Sequence, residues 1–198
     1  MANPKILVFA GSIRNGSFNA RLAALAVKEL VIADAEVTHI SLGDFPLPLY
    51  DGNLETLNGP PDNAYKLKRL FCTHEGIFIV SPEYNASVTP LLKNTIDWVS
   101  RVREGREVPL AAYKDRVFAI AGASPGPFGA MRSLMALRQV LEVGCGALVI
   151  PEMVAVREAT NAFDERDNLT DTRAAGALKN AVQRLVDVAR SSAIGSGQ

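Results

Sequence analysis

The run Ile6-Leu7-Val8-Phe9-Ala10-Gly11-Ser12-Ile13-Arg14-Asn15-Gly16-Ser17-Phe18-Asn19 joins an unbroken apolar segment to a loop of small and hydroxyl-bearing residues. The loop opens directly into a stretch with Leu22, Leu25, Ala26 and Leu30 at three- and four-residue spacing. An apolar segment without polar alternation suits a strand buried on both faces, as in a parallel sheet, and the spacing that follows is helical. Working outward, the same signature recurs at Ile77 to Val80, Val117 to Ala121 and Leu148 to Ile150, with Val37 to Leu42 a weaker fifth. Between and after them lie amphipathic stretches such as Leu178, Val182, Leu185, Val186 and Ala189. Strand, helix and strand in repeated alternation require right-handed crossovers, so the reading is an α/β doubly wound five-stranded parallel sheet.

Breakers support this parsing. Gly, Pro and Asn cluster at Gly43 to Pro61 and at Gly122 to Gly129, and a polar segment covers Thr160 to Asp171, where Thr170 or Asp171 is placed to cap the last helix. Residues 1–190 read as a single domain, with no internal repeat and no linker, and 191–198, rich in Ser and Gly, as a flexible tail. Lys plus Arg equals Asp plus Glu at 21 each, which argues against a nucleic-acid partner. Cys72 and Cys145 stand alone without metal-ligand spacing and read as small core residues. No stretch reaches the roughly 18 apolar residues of a membrane span and no charged leader precedes the first strand, so the expectation is a cytoplasmic protein without membrane contact.

In an open α/β sheet, ligands sit beyond the carboxyl ends of the strands, near the reversal of strand order. Three loops therefore carry the functional reading. In the first, Gly11 to Asn19, free N–H groups and the positive end of a helix macrodipole face the ligand, Ser12 and Ser17 add hydroxyls, Arg14 offers a bidentate guanidinium, and Asn19 either donates its amide or holds the loop shape. The bland alternative is a capped turn in which Ser17 or Asn19 is only the N-cap. The loop lacks Gly-x-Gly-x-x-Gly and any Gly-Lys-Ser/Thr ending, which favours a mononucleotide over NAD or ATP as the firmly held ligand. In the second, Ser81-Pro82-Glu83-Tyr84-Asn85, a fixed φ, an aromatic edge and main-chain donors and acceptors suit a planar heterocycle; the alternative is a polar surface turn. Thr89 then caps a helix with Pro90 at its first position. The third, Ala123-Ser124-Pro125-Gly126-Pro127-Phe128-Gly129, permits close backbone approach.

With its Gly-Ser-x-Arg-x-x-Ser-x-Asn and Ser-Pro-Glu-Tyr-Asn loops in this order after the matching strands, the chain resembles the NADPH-dependent FMN reductase family, which includes quinone and chromate reductases. The likeness extends to Leu92-Lys93-Asn94, Ile96-Asp97-Trp98 and a Phe163-Asp164 to Leu169-Thr170-Asp171 segment. It implies a flavodoxin-like sheet of order 2-1-3-4-5. It also implies FMN with its phosphate on Ser12, Arg14, Ser17 and Asn19, with Phe18 beside them, its ring along Pro82, Glu83, Tyr84 and Asn85, and Ser124 near the ring or ribityl chain. NAD(P)H would be the electron donor, a quinone, free flavin, azo compound or metal oxyanion such as chromate the acceptor, and the assembly a homodimer or homotetramer with flavins near the subunit interface. Two departures stand out: Thr89-Pro90 where the family often has Pro-Gly, bearing on the floor of the acceptor pocket, and Ala130 after Gly129 where it often has Gly-Gly, bearing on the nicotinamide approach.

Hydride transfer is chemistry supplied by such a cofactor, so no catalytic acid–base pair is expected. His39, at the end of a weak strand, and His74, on a helix, read as structural or exposed, and Glu83 as backbone-setting or surface rather than a general base. The rivals are a flavodoxin-type electron carrier, disfavoured by zero formal charge, and a flavin-free nucleotide- or sugar-phosphate enzyme of the same fold. The apolar content of the helix from Leu91 to Val102 suggests a homo-oligomer.

Overall fold

The computed structural model describes residues 3–195. Its five strands, β1 (Lys5–Ala10), β2 (Glu36–Ser41), β3 (Gly76–Val80), β4 (Val117–Ala123) and β5 (Leu148–Val156), form one parallel sheet of order β2-β1-β3-β4-β5. The helices are α1 (Phe18–Ile32), α2 (Gly52–Asn58), α3 (Asp62–Cys72), α4 (Pro90–Arg101), α5 (Met131–Gln139) and α6 (Thr172–Gly195).

Apart from the exposed Lys5 at the start of β1, the central strands carry no charged or polar side chain, because each face feeds a different core. Ile6, Val8 and Ala10 of β1, Phe78 and Val80 of β3, and Val117, Ala119 and Ala121 of β4 pack with α1 and α6. Their alternating neighbours Leu7, Phe9, Ile77, Ile79, Phe118 and Ile120 pack with α3, α4 and α5. This is the flavodoxin-like arrangement, and it brings the loops after β1, β3 and β4 to one edge of the sheet.

Several boundaries differ from the sequence reading. The apolar run Leu148 to Ile150 is only the start of β5, whose pairing with β4 slips between Phe118–Val149 and Ile120–Met153. Pro151 lies in that irregularity, on an edge strand where its missing N–H breaks no inner ladder. The breaker region Gly43 to Pro61 contains α2, started by Asp51, whose carboxylate accepts the Asn53 N–H at 2.7 Å and the Leu54 N–H at 3.3 Å. Asp171 caps α6, accepting the Arg173 N–H at 2.9 Å. That helix continues to Gly195, past the boundary read for a tail at residue 191, and residues 196–198 of that tail lie outside the described residues.

His74 sits just beyond α3 rather than on a helix. It is buried, with Nδ1 2.6 Å from the Leu70 carbonyl and Nε2 2.8 Å from the Thr38 hydroxyl, so it ties α3 to β2 far from the loop edge. Cys145 is buried and Cys72 partly so.

The helix α4 spends its apolar residues inside the chain. Leu92, Ile96, Trp98 and Val99 are buried, and the Trp98 indole donates to the Pro48 carbonyl at 2.7 Å while Tyr50 packs edge-on at 5.0 Å. Asn94 fastens the same strap, accepting the Tyr50 N–H at 2.8 Å and donating to the Pro48 carbonyl at 2.9 Å. The apolar content of this helix is thus internal packing. The exposed stripe lies instead along the start of α5, where Phe128, Met131 and Met135 are 55%, 37% and 53% exposed.

Candidate FMN and acceptor cleft

The first loop is built as an open anion cradle. Ser17, in extended conformation, is the N-cap of α1 and its hydroxyl oxygen accepts the Asn19 N–H; no acidic residue occupies the first turn. Gly16 adopts φ +66°, a left-handed conformation that glycine takes at little cost, and this turns the chain back into the helix. Ser12 Oγ accepts the Arg14 N–H at 3.3 Å, and the Ser17 N–H donates to the Arg14 carbonyl. The N–H groups of Ile13, Asn15, Gly16 and Phe18 find no acceptor among the described residues. Arg14 is exposed, has no acidic partner among the described residues, and rests its guanidinium 5.8 Å from the Phe18 ring centroid. Unpaired donors, a helix N-terminus and a free guanidinium converge where a phosphate dianion is best held.

Asn19 has another task. Its side chain is buried, donates from Nδ2 to the Ala123 carbonyl at 2.9 Å and accepts the Ala123 N–H at 2.9 Å. Both ends of the amide are used, so Asn19 staples the first loop to the end of β4 and holds loop shape.

The second loop is a two-residue turn. Tyr84 and Ser87 exchange backbone hydrogen bonds of 3.1 and 3.0 Å around Asn85 and Ala86, at φ +49° and +63°. Asn tolerates that left-handed geometry well, which accounts for Asn85 at the tip. Tyr84 is left exposed at the rim. Thr89 closes the loop twice over, donating to the Gly11 carbonyl at 2.7 Å and accepting the Leu92 N–H at 3.2 Å as cap of α4.

Glu83 turns away from the turn toward α5. Its carboxylate accepts the N–H groups of Arg132 and Ser133 at 3.0 and 3.2 Å and Nε of Arg132 at 2.7 Å, in an ion pair with that guanidinium. Burial alone would raise the Glu83 carboxyl, but the Arg132 guanidinium and the two N–H groups outweigh it and hold the group below the ordinary carboxylate range. Glu83 is therefore a backbone-setting ionised group.

The third loop is anchored by Ser124, whose Oγ accepts the Gly126 N–H at 3.3 Å and whose N–H continues the ladder to the Val156 carbonyl at 3.1 Å. Gly122, just before it, leaves no room for a side chain: an added Cβ would lie 2.6 Å from the Ser81 carbonyl oxygen. Ala130 sits fully buried at φ +67° beside that glycine, so its methyl points into packing and not into the cleft.

These loops enclose a two-lobed cleft. One lobe, of about 170 Å³, is lined by Ser12, Arg14, Ser17, Phe18, Asn19, Pro82, Glu83, Tyr84 and Ser124, with Ala123 and Pro125. The other, of about 380 Å³ and largely apolar, shares Ser12, Arg14 and Tyr84 and adds Ile13, Thr89, Pro90 and Leu91. Of the residues expected at the site from sequence, only Asn85 lines neither lobe. Pro90 forms part of the wall that its departure from the family pattern pointed to. Ala123 and Leu91 were missed because apolar residues at element ends carry no signal separate from core. A larger cavity, of about 480 Å³, lies elsewhere between α4 and the segment after α5, against Cys145.

Fold and cleft together define a flavodoxin-like mononucleotide-binding protein. Residues 4–161 match the family model described as NADPH-dependent FMN reductase. The chain is 33% identical over 183 residues to an NAD(P)H-dependent FMN reductase of Pseudomonas aeruginosa, covering 91% of this chain and 92% of that one. It is 36% identical over 138 residues to a quinone reductase of Escherichia coli, 69% of each chain. Its structure matches the flavoenzyme NAD(P)H:(acceptor) oxidoreductase FerB of Paracoccus denitrificans with a TM-score of 0.77 and 26% identity, over 96% of this chain and 98% of that one. The chain belongs to the NADPH-dependent FMN reductase family and is an oxidoreductase that works with FMN and NAD(P)H.

Proposed function

We propose that the chain seats FMN in the two-lobed cleft and passes electrons from NAD(P)H to a small planar acceptor of the quinone class. The observation that carries this reading is the meeting, in one cleft, of an anion cradle without internal partners and an apolar lobe large enough for a flat molecule. When bound, FMN supplies the redox chemistry, taking a hydride equivalent from the nicotinamide and releasing electrons to the acceptor.

The chain's own residues bind and orient. Arg14, the open amides of the first loop and the hydroxyls of Ser12 and Ser17 hold the phosphate, while Pro82 and Tyr84 border the ring and Ser124 the ribityl chain. Ile13, Pro90, Leu91 and Tyr84 form the acceptor wall, whose apolar character suits quinones. The relatives named as quinone reductases support that class. Among the described residues, the one carboxylate that lines the cleft, Glu83, is committed to the N-terminus of α5.

The exposed Phe128, Met131 and Met135 stripe beside the third loop supports a homodimer or homotetramer. Light scattering at micromolar concentration is expected to give a multiple of 21.2 kDa, and a monomer mass contradicts it. A cytoplasmic location fits the composition, and among the described residues no helix is long and apolar enough to cross a membrane. The test of the whole reading is stopped-flow reduction of the FMN-loaded protein by NADH and NADPH, followed by an acceptor panel. Reduction by neither nucleotide would favour a flavodoxin-type carrier instead.

A further inference from the structure

Among the described residues, Glu83 is the only acidic side chain that lines either lobe of the cleft. A carboxylate beside a redox-active ring opposes reduction, because reduction adds negative charge there. Yet its side chain is only 5% exposed and faces α5. It takes the place of an absent cap: Ala130, at the N-cap position, offers no side-chain hydrogen bond, and Glu83 accepts the first free N–H groups of α5 from across the cleft edge. Ser133 completes the junction by donating to the Pro82 carbonyl at 3.0 Å, with its Oγ 3.3 Å from that of Ser81. The Arg132 guanidinium also lies over the Phe128 ring, 4.8 Å from its centroid. Residues 81–83 and the first turn of α5 are therefore one unit, and its charges cancel inside it.

We infer that Arg132 is a positioning residue for the flavin chemistry: by binding Glu83 it turns the carboxylate from the cleft and cancels its charge, so that the loop beside the ring carries no net negative charge. The inference rests on the proposed seating of FMN in this cleft. Arg132 touches neither lobe and acts wholly through Glu83.

The readout is the ratio of affinities for reduced and oxidised FMN, obtained anaerobically from the midpoint potential of bound and free flavin. Arg132→Ala is expected to lower that ratio roughly four- to fifteenfold, the effect of a unit charge about 10 Å away at an effective dielectric of about 20 to 40. Arg132→Lys should keep most of it. The decisive variant is Arg132→Ala with Glu83→Gln, in which the charge itself is gone and the ratio returns to the wild-type value. A latch that merely braces the fold would leave the double variant no better than the single one, and that result, or an unchanged ratio in Arg132→Ala, overturns the inference. Arg132→Gln, which keeps bulk, is measured in the same way should the alanine variant fail to fold. Arg14→Ala is run alongside. If it leaves FMN binding intact, the seating of FMN is wrong; if it weakens FMN while Arg132→Ala leaves the ratio unmoved, only the role of Arg132 is wrong.

Discussion

Asn19, read from sequence as either an amide donor or a brace of the loop, lines the cleft and fastens the loop to the end of β4. The hydroxyl, amide and guanidinium groups of the first loop were legible in the sequence because an anion cradle is local: it needs small residues, a cap and a charge within one turn. That Asn19 spends its amide on Ala123 was not legible, since the partner lies 104 residues away. Asn19→Ala removes both hydrogen bonds and strands a buried N–H and C=O, so it should cost about 2–4 kcal/mol of stability, read from urea unfolding of the apo-protein. A change below 0.5 kcal/mol, a threshold within roughly the scatter of surface substitutions, would show that the staple contributes nothing. The two cysteines also sit where burial disfavours the thiolate. Burial raises the Cys72 thiol, and burial with the nearby Asp97 carboxylate pushes that of Cys145 up to about 11. At pH 8 the native protein should react slowly with a thiolate-specific disulfide reagent, and both thiols should react promptly in denaturant. Prompt stoichiometric labelling of the native protein would contradict that.

At the scale of elements, unbroken apolar runs located β1, β3, β4 and the start of β5, because burial on both faces leaves a strand little room for polar residues, whereas β2, an edge strand with Thr38, His39 and Ser41 and no buried position, gave only a weaker signal. The end of β5 was hidden because Pro151 and Glu152 interrupt its run at the irregularity in pairing. The helix α2 was hidden because none of its residues is buried, so no apolar periodicity marks it. Composition also cannot tell which surface an apolar helix covers: α4 faces inward under the Pro48–Tyr50 strap, whereas α5 leaves its stripe outside. The Glu83–Arg132 junction spans 49 residues and joins the loop after β3 to the first turn of α5, a pairing that only the assembled sheet creates. It also shapes the pH response. Because the folded-state carboxyl lies below its usual range, the stability it contributes is present above the unfolded value near 4.3 and is lost as pH falls through the folded one. Between about pH 6 and 8 the group stays ionised and the reductive half-reaction should vary little, since proton delivery from water suffices. A steep bell-shaped profile abolished by Glu83→Gln would overturn this.

For the molecule as a whole, the doubly wound sheet brings the loops after β1, β3 and β4 together, and the sequence order of strands and loops was enough to foresee that meeting. We propose that these loops hold the phosphate of FMN, with Arg14 as its main counter-charge. The most direct measurement titrates FMN and riboflavin into apo wild-type and apo Arg14→Ala protein. A charge-assisted hydrogen bond contributes about 1.5–3 kcal/mol, so FMN binding should weaken by about ten- to two-hundredfold, while riboflavin, which lacks the phosphate, binds both proteins poorly and loses little. Equal losses for the two flavins, or no loss for either, would mean that the phosphate is held elsewhere.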